Sequence, residues 1–511
     1  MTGAGKRLSE LLAGIASVDG ARDCSVHDIA SDSRALKPGS LFLALPGQRH
    51  DGRVFLADAV VRGAAAIAYD SQDFEPGPLP IPAVGIENLA QYIGAIADRF
   101  FEAPSGRLIV IGVTGTNGKT TCTQLLAQAL DDTSRISEPN PPLRPYEREA
   151  SRGALGARRC AIIGTLGYGL VGALNESMHT TPDAITVHRL MREFLHARAR
   201  YVSMEVSSHA LHQGRVNGVA FDVALFTNLT RDHLDYHGDM QAYGAAKASL
   251  FDWDTLKHAV INHDDDFGQT LLQKLRGRVA VVSYGINGGD VRARSVTPTP
   301  TGLVLDVSTP QGEARLEAPL FGRFNAYNLL AVLATLLVLE VPLADAVERL
   351  RHARPVAGRA ERFGGRNRQP LAIVDYAHTP DALEKILASL REHTHGRLVC
   401  VFGCGGDRDR GKRPQMGAIA ERLADVVLLT DDNPRREAGD AIIQDIIAGM
   451  RVPPRVMRDR RAAIAQALAE ATTGDVVLIA GKGHEDYQQV GDVRHPYSDR
   501  ETVRALMGVA A

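Results

Sequence analysis

Leu108-Ile-Val-Ile-Gly-Val-Thr-Gly-Thr-Asn-Gly-Lys-Thr-Thr121 is the stretch whose reading decides the fold. A short apolar run ends in a glycine-rich turn, and Lys119, Thr120 and Thr121 open an amphipathic segment through Leu126. The pattern predicts strand, phosphate loop, helix. Successive backbone N–H groups at a helix N-terminus form a concave site for phosphate oxygens. Gly115, Thr116, Asn117 and Gly118 supply that loop, and Lys119 reaches the terminal phosphates as a point charge. The Thr120 hydroxyl, with Thr121 beside it, stands where Mg²⁺ needs an oxygen ligand. The generic motif wants glycine six residues before the lysine. Val113 occupies that position, so the form present is the shorter Gly115-x-x-Gly118-Lys119-Thr120-Thr121. Nucleotide binding is the expectation.

Outward from this centre, strand-like runs at 108–113, 160–164, 200–206, 222–227, 258–262 and 278–283 mostly alternate with helical patterns. Such alternation implies an α/β fold with a mostly parallel sheet covered by helices on both faces. Residues 302–318 switch to period two, predicting an antiparallel appendage, and Asn325–Val341 reads as a helix. A third α/β unit has strands at 371–375, 397–403, 424–430 and 475–480. Before the centre lies a smaller α/β unit, with helices over Leu8–Ile15 and Asn88–Phe101 and strands over Ser40–Leu45 and Ala64–Tyr69. The domains expected are therefore 1–106, 107–354 and 355–511. Asp131–Arg158 is polar, proline- and arginine-rich and without period, which predicts an exposed loop.

The charge balance, 58 basic against 60 acidic residues, argues against a polyanion-binding surface spread over the whole molecule, though not against local basic pockets, and nucleic acid is not expected as a partner. No charged-then-apolar leader opens the chain, and no uninterrupted apolar run approaches ~18 residues, so membrane insertion is not expected. Five cysteines without metal-type clustering predict a reduced, cytoplasmic enzyme, with Cys400 and Cys404 as core residues.

Chemistry-bearing residues gather after predicted strands, where ligands bind in open α/β sheets. Glu205 ends one apolar run and can hold a hard cation; Asn228-Leu-Thr-Arg-Asp-His233 follows another. Lys247 sits on a helix, where a lone lysine reads as solvated surface. In the third unit Asp375-Tyr-Ala-His378, the loop Phe402–Pro414, Asp432-Asn-Pro-Arg435 and Gly481-Lys-Gly-His-Glu485 put arginine, aspartate, asparagine and glutamate at one rim. Arginine forks suit carboxylates and acidic groups suit ammonium, so the rim fits a zwitterionic amino acid.

Gly115-Thr-Asn-Gly-Lys-Thr-Thr121, Glu205-Val-Ser-Ser-His209, Asn228–His233, Asp375–His378 and Asp432–Arg435, in this order, resemble the Mur ligases. Within that family the likeness is closest to the members that add 2,6-diaminopimelate to UDP-N-acetylmuramoyl-L-alanyl-D-glutamate, and it covers nearly the whole chain. The resemblance implies three domains: one for the UDP-sugar peptide, a central ATP-binding P-loop domain with a doubly wound sheet, and a C-terminal Rossmann-like α/β domain for the amino acid. It implies an ATP-dependent ligase of peptidoglycan precursor synthesis that works through an acyl phosphate, as a monomer on small-molecule substrates. Ser31, Ser33, Gln48, Arg49 and His50 would hold the uridine diphosphate end, and Thr180, Thr181, Ser207, Gln213 and Arg215 the muramoyl dipeptide. Thr120, Glu205 and His233 would serve Mg²⁺, with Asn325 and Arg359 near the nucleotide. Lys247 falls where the family carries a carbamylated lysine that ligates a second Mg²⁺, against the surface reading. Arg408, Asp432, Asn433, Pro434, Arg435, Gly481 and Glu485 would bind meso-diaminopimelate. Lys119, Lys247, His233 and Glu205 are the residues expected to carry the chemistry. His179 precedes Thr180 where some relatives carry asparagine.

Rival readings are a ligase of the same fold adding L-lysine, one extending folate with glutamate, and a P-loop nucleotide switch without ligase activity. The full set of third-unit loops disfavours the folate reading.

Overall fold

The computed structural model describes residues 5–47, 51–131, 159–177, 179–299, 302–365 and 369–508. The expected loop 131–158 therefore lies, except for Asp131, outside the described residues, as do Gln48, Arg49 and His50. The chain gathers into two compact units, the first made of residues 1–114, 130–224 and 245–257, the second of 115–129, 225–244 and 258–511.

Besides the short antiparallel pairing of Lys6–Arg7 with Ser25–Val26, the described residues of the first unit contribute to two larger sheets. Strands β1 (Asp28–Ala30), β2 (Ser40–Ala44), β3 (Ala66–Asp70) and β4 (Ala83–Ile86) pair in parallel in that order. Alternate residues split between two cores. Leu41, Leu43, Ala66 and Ala68 pack with Ile93, Ile96 and Ala97 of the helix Ile93–Phe100, while Phe42, Ala44 and Ile67 pack with Leu56 and Ala59. Both faces are covered, so β2 is buried along its whole length and reads as one apolar run. The second sheet takes β5 (Ile109–Thr114), β6 (Arg159–Gly164), β7 (Gly167–Leu170), β8 (Ala173–Asn175) and β9 (Ala199–Glu205). Central β9 pairs in parallel with both β5 and β6, and β6, β7 and β8 continue as an antiparallel meander. The short strand β10 (Val223–Phe226) is buried throughout.

In the second unit β11 (His258–Asn262), β12 (Ala280–Gly285) and β13 (Val291–Thr299) are parallel. β14 (Gly302–Thr309) and β15 (Gly312–Ala318) then complete the expected antiparallel appendage, which begins earlier than expected, at Val291. The helix Arg323–Val338 is apolar almost all round and lies in the core. The last sheet runs β16 (Glu361–Gly364), β17 (Leu371–Asp375), β21 (Val476–Ala480), β18 (Leu398–Phe402), β19 (Val426–Leu429), β20 (Arg455–Val456), parallel except for edge strand β16. Ile373, Cys400 and Leu478 face the helices Pro380–Arg391, Lys412–Leu423 and Gly439–Ile447. Val374, Val399, Val401 and Ile479 face Arg460–Glu470 and Asp499–Met507, which makes this sheet doubly wound. Cys400 and Cys404 are core residues, as expected.

Several expected elements are shorter. Leu8–Leu11 alone is helical, and Gly14 with φ +69° turns the chain out of the spiral. Asn88 is left-handed at φ +55°, so the expected helix begins as a 3₁₀ turn, Leu89–Gln91, before Ile93–Phe100. The core helix ends at Val338 rather than Val341, since Glu340 has φ +58° and Pro342 follows. Strands β7 and β8 of the meander and a hairpin of β22 (Tyr487–Val490) and β23 (Val493–Pro496) went unread in the sequence, because Gly- and Gln-rich strands carry no apolar alternation, whereas β6 was expected at 160–164. No helix among the described residues is long and apolar enough to cross a membrane.

Candidate active site

The phosphate loop is built as its glycines require. Gly115 has φ +143°, and a Cβ there would collide with the Thr227 hydroxyl; Gly118 has φ +86°, with Asn328 Oδ1 2.6 Å from where its Cβ would be. The segment after β10 clamps the loop. Thr116 N–H donates to the Asn228 carbonyl at 2.8 Å, Asn117 N–H to Asn228 Oδ1 at 3.0 Å, and the Thr227 hydroxyl to the Asn117 carbonyl at 2.6 Å. Lys119 opens the helix Lys119–Leu130, and its ammonium donates to the Gly115 and Thr116 carbonyls, both at 2.8 Å. Arg359 donates to the Thr120 hydroxyl at 3.1 Å and lies over the Tyr376 ring, 4.4 Å from its centre.

A cavity of about 420 Å³ opens beside this loop, within the second unit. Asn117, Gly118 and Thr121 line it, with Asn262 at the end of β11 and Asp264 just after it, Asn328 and Tyr327 on the core helix, and Arg359, Tyr376 and His378. Its size and mixed lining suit a nucleotide. Asn325 is turned away: its amide donates to the Phe321 carbonyl at 2.7 Å and its Oδ1 accepts from Asn328 at 2.8 Å, so Asn328, one turn on, faces the cavity. Burial holds the His378 imidazole down at about 4, Lys412 adding to the effect, and holds His484 down at about 3. Both rings are neutral at physiological pH. Burial pushes the Asp375 carboxyl up, against the opposing pull of Arg359.

The rim expected to hold an amino acid also lies in the second unit. Arg435 is left-handed at φ +52°; its N–H donates to the Gln489 carbonyl at 3.0 Å and its Nη1 to the Gly406 carbonyl at 2.8 Å. Arg408 and Arg435 flank Gly405, but Arg408 is exposed and among the described residues donates only to the Asp407 carbonyl, at 3.3 Å. Asn433 donates to Glu485 Oε2 at 2.9 Å. A Cβ at Gly481, φ +117°, would strike Asp432 Oδ2, so glycine keeps that carboxylate's place open. Lys482, missed in the sequence although it stands inside the quoted motif, is fully buried among these groups.

In the first unit another expected group assembles at the carboxyl end of β9. Glu205 accepts from Thr165 N–H at 2.7 Å and from the Thr165 hydroxyl at 3.1 Å. The Thr165 hydroxyl is 3.1 Å from that of Thr180. The Thr181 hydroxyl donates to the Glu205 carbonyl at 2.8 Å and accepts from Ser207 N–H at 3.2 Å. Arg215 donates to the Thr181 carbonyl at 3.0 Å and to Gln213 at 2.9 Å. Ser33 is buried in a 3₁₀ turn capped by Asp32, with Ser31 exposed beside it. His179 is exposed, and its carbonyl accepts from Ser177. Lys247 sits in the last turn of the helix Met240–Ala248, not at a strand end, and is only 1% exposed, which removes the solvated-surface reading. In the second unit His233, φ +53°, has Nε2 3.4 Å from Asp232. Among the described residues no three histidine, cysteine, aspartate or glutamate side chains gather into a cation-holding group.

Residues 25–101 match the Mur ligase family catalytic domain, 113–336 the Mur ligase middle domain, and 358–483 the Mur ligase glutamate ligase domain. The chain is 49% identical over 491 residues, 95% of its length and 96% of the other's, to a UDP-N-acetylmuramoyl-L-alanyl-D-glutamate–2,6-diaminopimelate ligase of Pseudomonas aeruginosa. The chain belongs to the Mur ligase family. A ligase of the same description from Coxiella burnetii is 46% identical over 95% of this chain and 96% of its own. A solved structure of such a ligase superposes with a TM-score of 0.69 at 33% identity, covering 99% of both chains. The Mur ligase architecture of N-terminal, central and C-terminal α/β domains follows, and the family uses ATP. A folylpolyglutamate synthase of Mycobacterium tuberculosis shares the fold at 17% identity and a TM-score of 0.61.

Proposed function

We propose that this Mur ligase is the ATP-dependent enzyme that joins meso-2,6-diaminopimelate to UDP-N-acetylmuramoyl-L-alanyl-D-glutamate, releasing ADP and phosphate. The observation that carries the reading is 49% identity across 95% of the chain to a ligase of that description. We take it to act on these small molecules as a cytoplasmic monomer, with domains bounded near 106 and 354.

In this reading the 420 Å³ cavity holds the nucleotide base and ribose, and the amides at the start of the helix Lys119–Leu130 face the phosphates. Gly115 to Thr121 form the phosphate cradle and Arg359 sits beside it. Thr180, Thr181, Ser207, Gln213 and Arg215 hold the muramoyl dipeptide, and Ser31 and Ser33, with the Gln48-Arg49-His50 turn, the uridine diphosphate. Arg408, Asp432 to Arg435, Gly481 and Glu485 hold the amino acid. We assign Thr120, His233, Glu205 and a carbamylated Lys247 to Mg²⁺. The buried Glu205 carboxylate and the Thr120 hydroxyl are hard oxygen donors of the type this cation takes. When bound, Mg²⁺ neutralises charge on the phosphates.

The precursor's D-glutamyl carboxylate attacks the γ-phosphorus, the bond to ADP breaks, and an acyl phosphate forms. The diaminopimelate amine attacks the acyl carbon, loses a proton, and expels phosphate. Lys119 stabilises charge as it develops, and the rim fixes the amine's approach; no protein nucleophile is needed. His378 and His484, neutral in their buried places, orient rather than carry charge.

The test is ADP release with each substrate omitted in turn, together with the mass of the product. Release that requires both the UDP-dipeptide and diaminopimelate, with a product heavier by one diaminopimelate residue, is expected. Release without any amino acid would favour a nucleotide switch.

A further inference from the structure

Lys482 follows β21 and is fully buried. Its ammonium has three donors to place. One goes to Asn433 Oδ1 at 3.0 Å, one to Glu485 Oε2 at 3.0 Å, and the Tyr487 ring lies 5.4 Å away. These contacts settle which way Asn433 points. Its Oδ1 accepts from Lys482 and from Gln489 N–H at 2.8 Å, so its Nδ2 is turned to Glu485 Oε2 at 2.9 Å. Glu485 Oε2 therefore receives two donors, one of them charged. Oε1 makes no hydrogen bond among the described residues, and the side chain keeps 15% of its surface exposed.

We infer that Lys482 is a positioning residue for the incoming amino acid: it pins Oε2 of Glu485 and the amide of Asn433 so that Oε1 of Glu485 is presented to a substrate ammonium. The inference rests on the amino-acid reading of this rim. Two physical consequences make it specific. The lysine ammonium and the glutamate carboxylate are each other's partner in a partly dry pocket, where an unpaired charge is costly. A carboxylate held through one oxygen by two donors also loses its rotational freedom, so the second oxygen needs no ordering when substrate arrives. Lys482 acts through Glu485 and touches neither nucleotide loop nor dipeptide residues among the contacts described.

The experiment measures steady-state constants of the full chain for each of the three substrates in Lys482→Met, Glu485→Gln and the double variant. Lys482→Met should raise KM for meso-diaminopimelate by about 10- to 100-fold while KM for ATP and for the UDP-dipeptide stay within about two-fold. In the Glu485→Gln background the same change should add less than about three-fold, because the group it positions is already gone. A purely structural lysine predicts the opposite: losses spread over all three substrates, multiplying with those of Glu485→Gln. Either that pattern or an unchanged KM for diaminopimelate overturns the inference. Should Lys482→Met fail to fold by circular dichroism, Lys482→Gln, which keeps two N–H donors without the charge, is read by the same criteria. Wild-type ADP release that ignores diaminopimelate would instead overturn the amino-acid reading of the rim, and the inference with it.

Discussion

Lys119 spends two of its N–H bonds on the carbonyls of Gly115 and Thr116, so its ammonium is held over the loop rather than left to wander. Removing a charge aimed at developing negative charge costs ~10²–10³ in rate. Lys119→Ala should lose turnover to that degree with an unchanged circular dichroism spectrum; near-normal ligation by the folded variant would contradict the assignment. We propose that Arg435 sets the choice of substrate. It does not brace the loop against Asp431, because Asp431 is taken by Arg458 at 2.6 and 2.8 Å. One guanidinium nitrogen is spent on Gly406, the Arg435 guanidinium makes no other hydrogen bond among the described residues, and we propose that its remaining edge meets the far carboxylate that distinguishes diaminopimelate from lysine. Lysine would leave that edge unanswered, a penalty of ~2–4 kcal/mol, or about 30- to 1000-fold in kcat/KM. Competition between the two amines should show that preference, and Arg435→Ala should lose most of it.

Elements are held in register by charged tethers. The loop carrying Gly405 and Arg408 reaches the helix Lys412–Leu423, where buried Arg413 grips both oxygens of Glu437 at 3.0 Å and Asp445 at 2.8 Å. Arg410 adds a bond at 3.0 Å, and Asp407 N–H donates to Glu437 as well. Glu437 thus ties the Arg408 loop to the segment that presents Arg435. The Arg413 hydrogen bonds hold its carboxyl down at about 2, below the ordinary 4.5. A carboxyl depressed in the folded state contributes stability that is present in full above the unfolded value and is lost as pH falls through the folded one. Glu437→Gln should therefore be less stable than wild type at pH 7. The gap should close as pH falls from 4.5 towards 2, followed by thermal midpoints at each pH. A gap that stays constant over that window would mean the tether is not electrostatic.

At the scale of the molecule, the last sheet has a core on each face, one with Leu383, Leu387 and Met416 and the other with Ile464 and Val503. About 150 residues with both faces covered are enough to fold alone. We expect residues 355–511, expressed separately, to melt cooperatively. The cavity beside the phosphate loop also takes Asn117, Asn262, Arg323 and Asn328 from outside that segment, so the fragment should bind no ATP by calorimetry. A fragment that fails to fold would move the proposed boundary near 354, and one that binds ATP would move the nucleotide site.

The phosphate loop was legible because its signals are local: an apolar run, two glycines that must take positive φ, and a lysine all lie within eleven residues of one another. The parallel strands were legible for a related reason. Burial on both faces turns β2, β18 and β21 into continuous apolar runs that no exposed helix shows. The order of five motifs along the chain carried the family. Partner choice was not legible. Lys247 stands on a helix whose own residues give no sign that it is 1% exposed, because what covers a helix face comes from elsewhere in the chain. Asn325 and Asn328 are equally polar letters one turn apart, and only packing decides which of them faces the cavity. Lys482 finds Asn433 across 49 residues of sequence, and Arg458 rather than Arg435 finds Asp431. Periodicity reports which face of an element is apolar. Which charge meets which is settled where strands far apart in sequence end side by side, and that is a property of the tertiary fold.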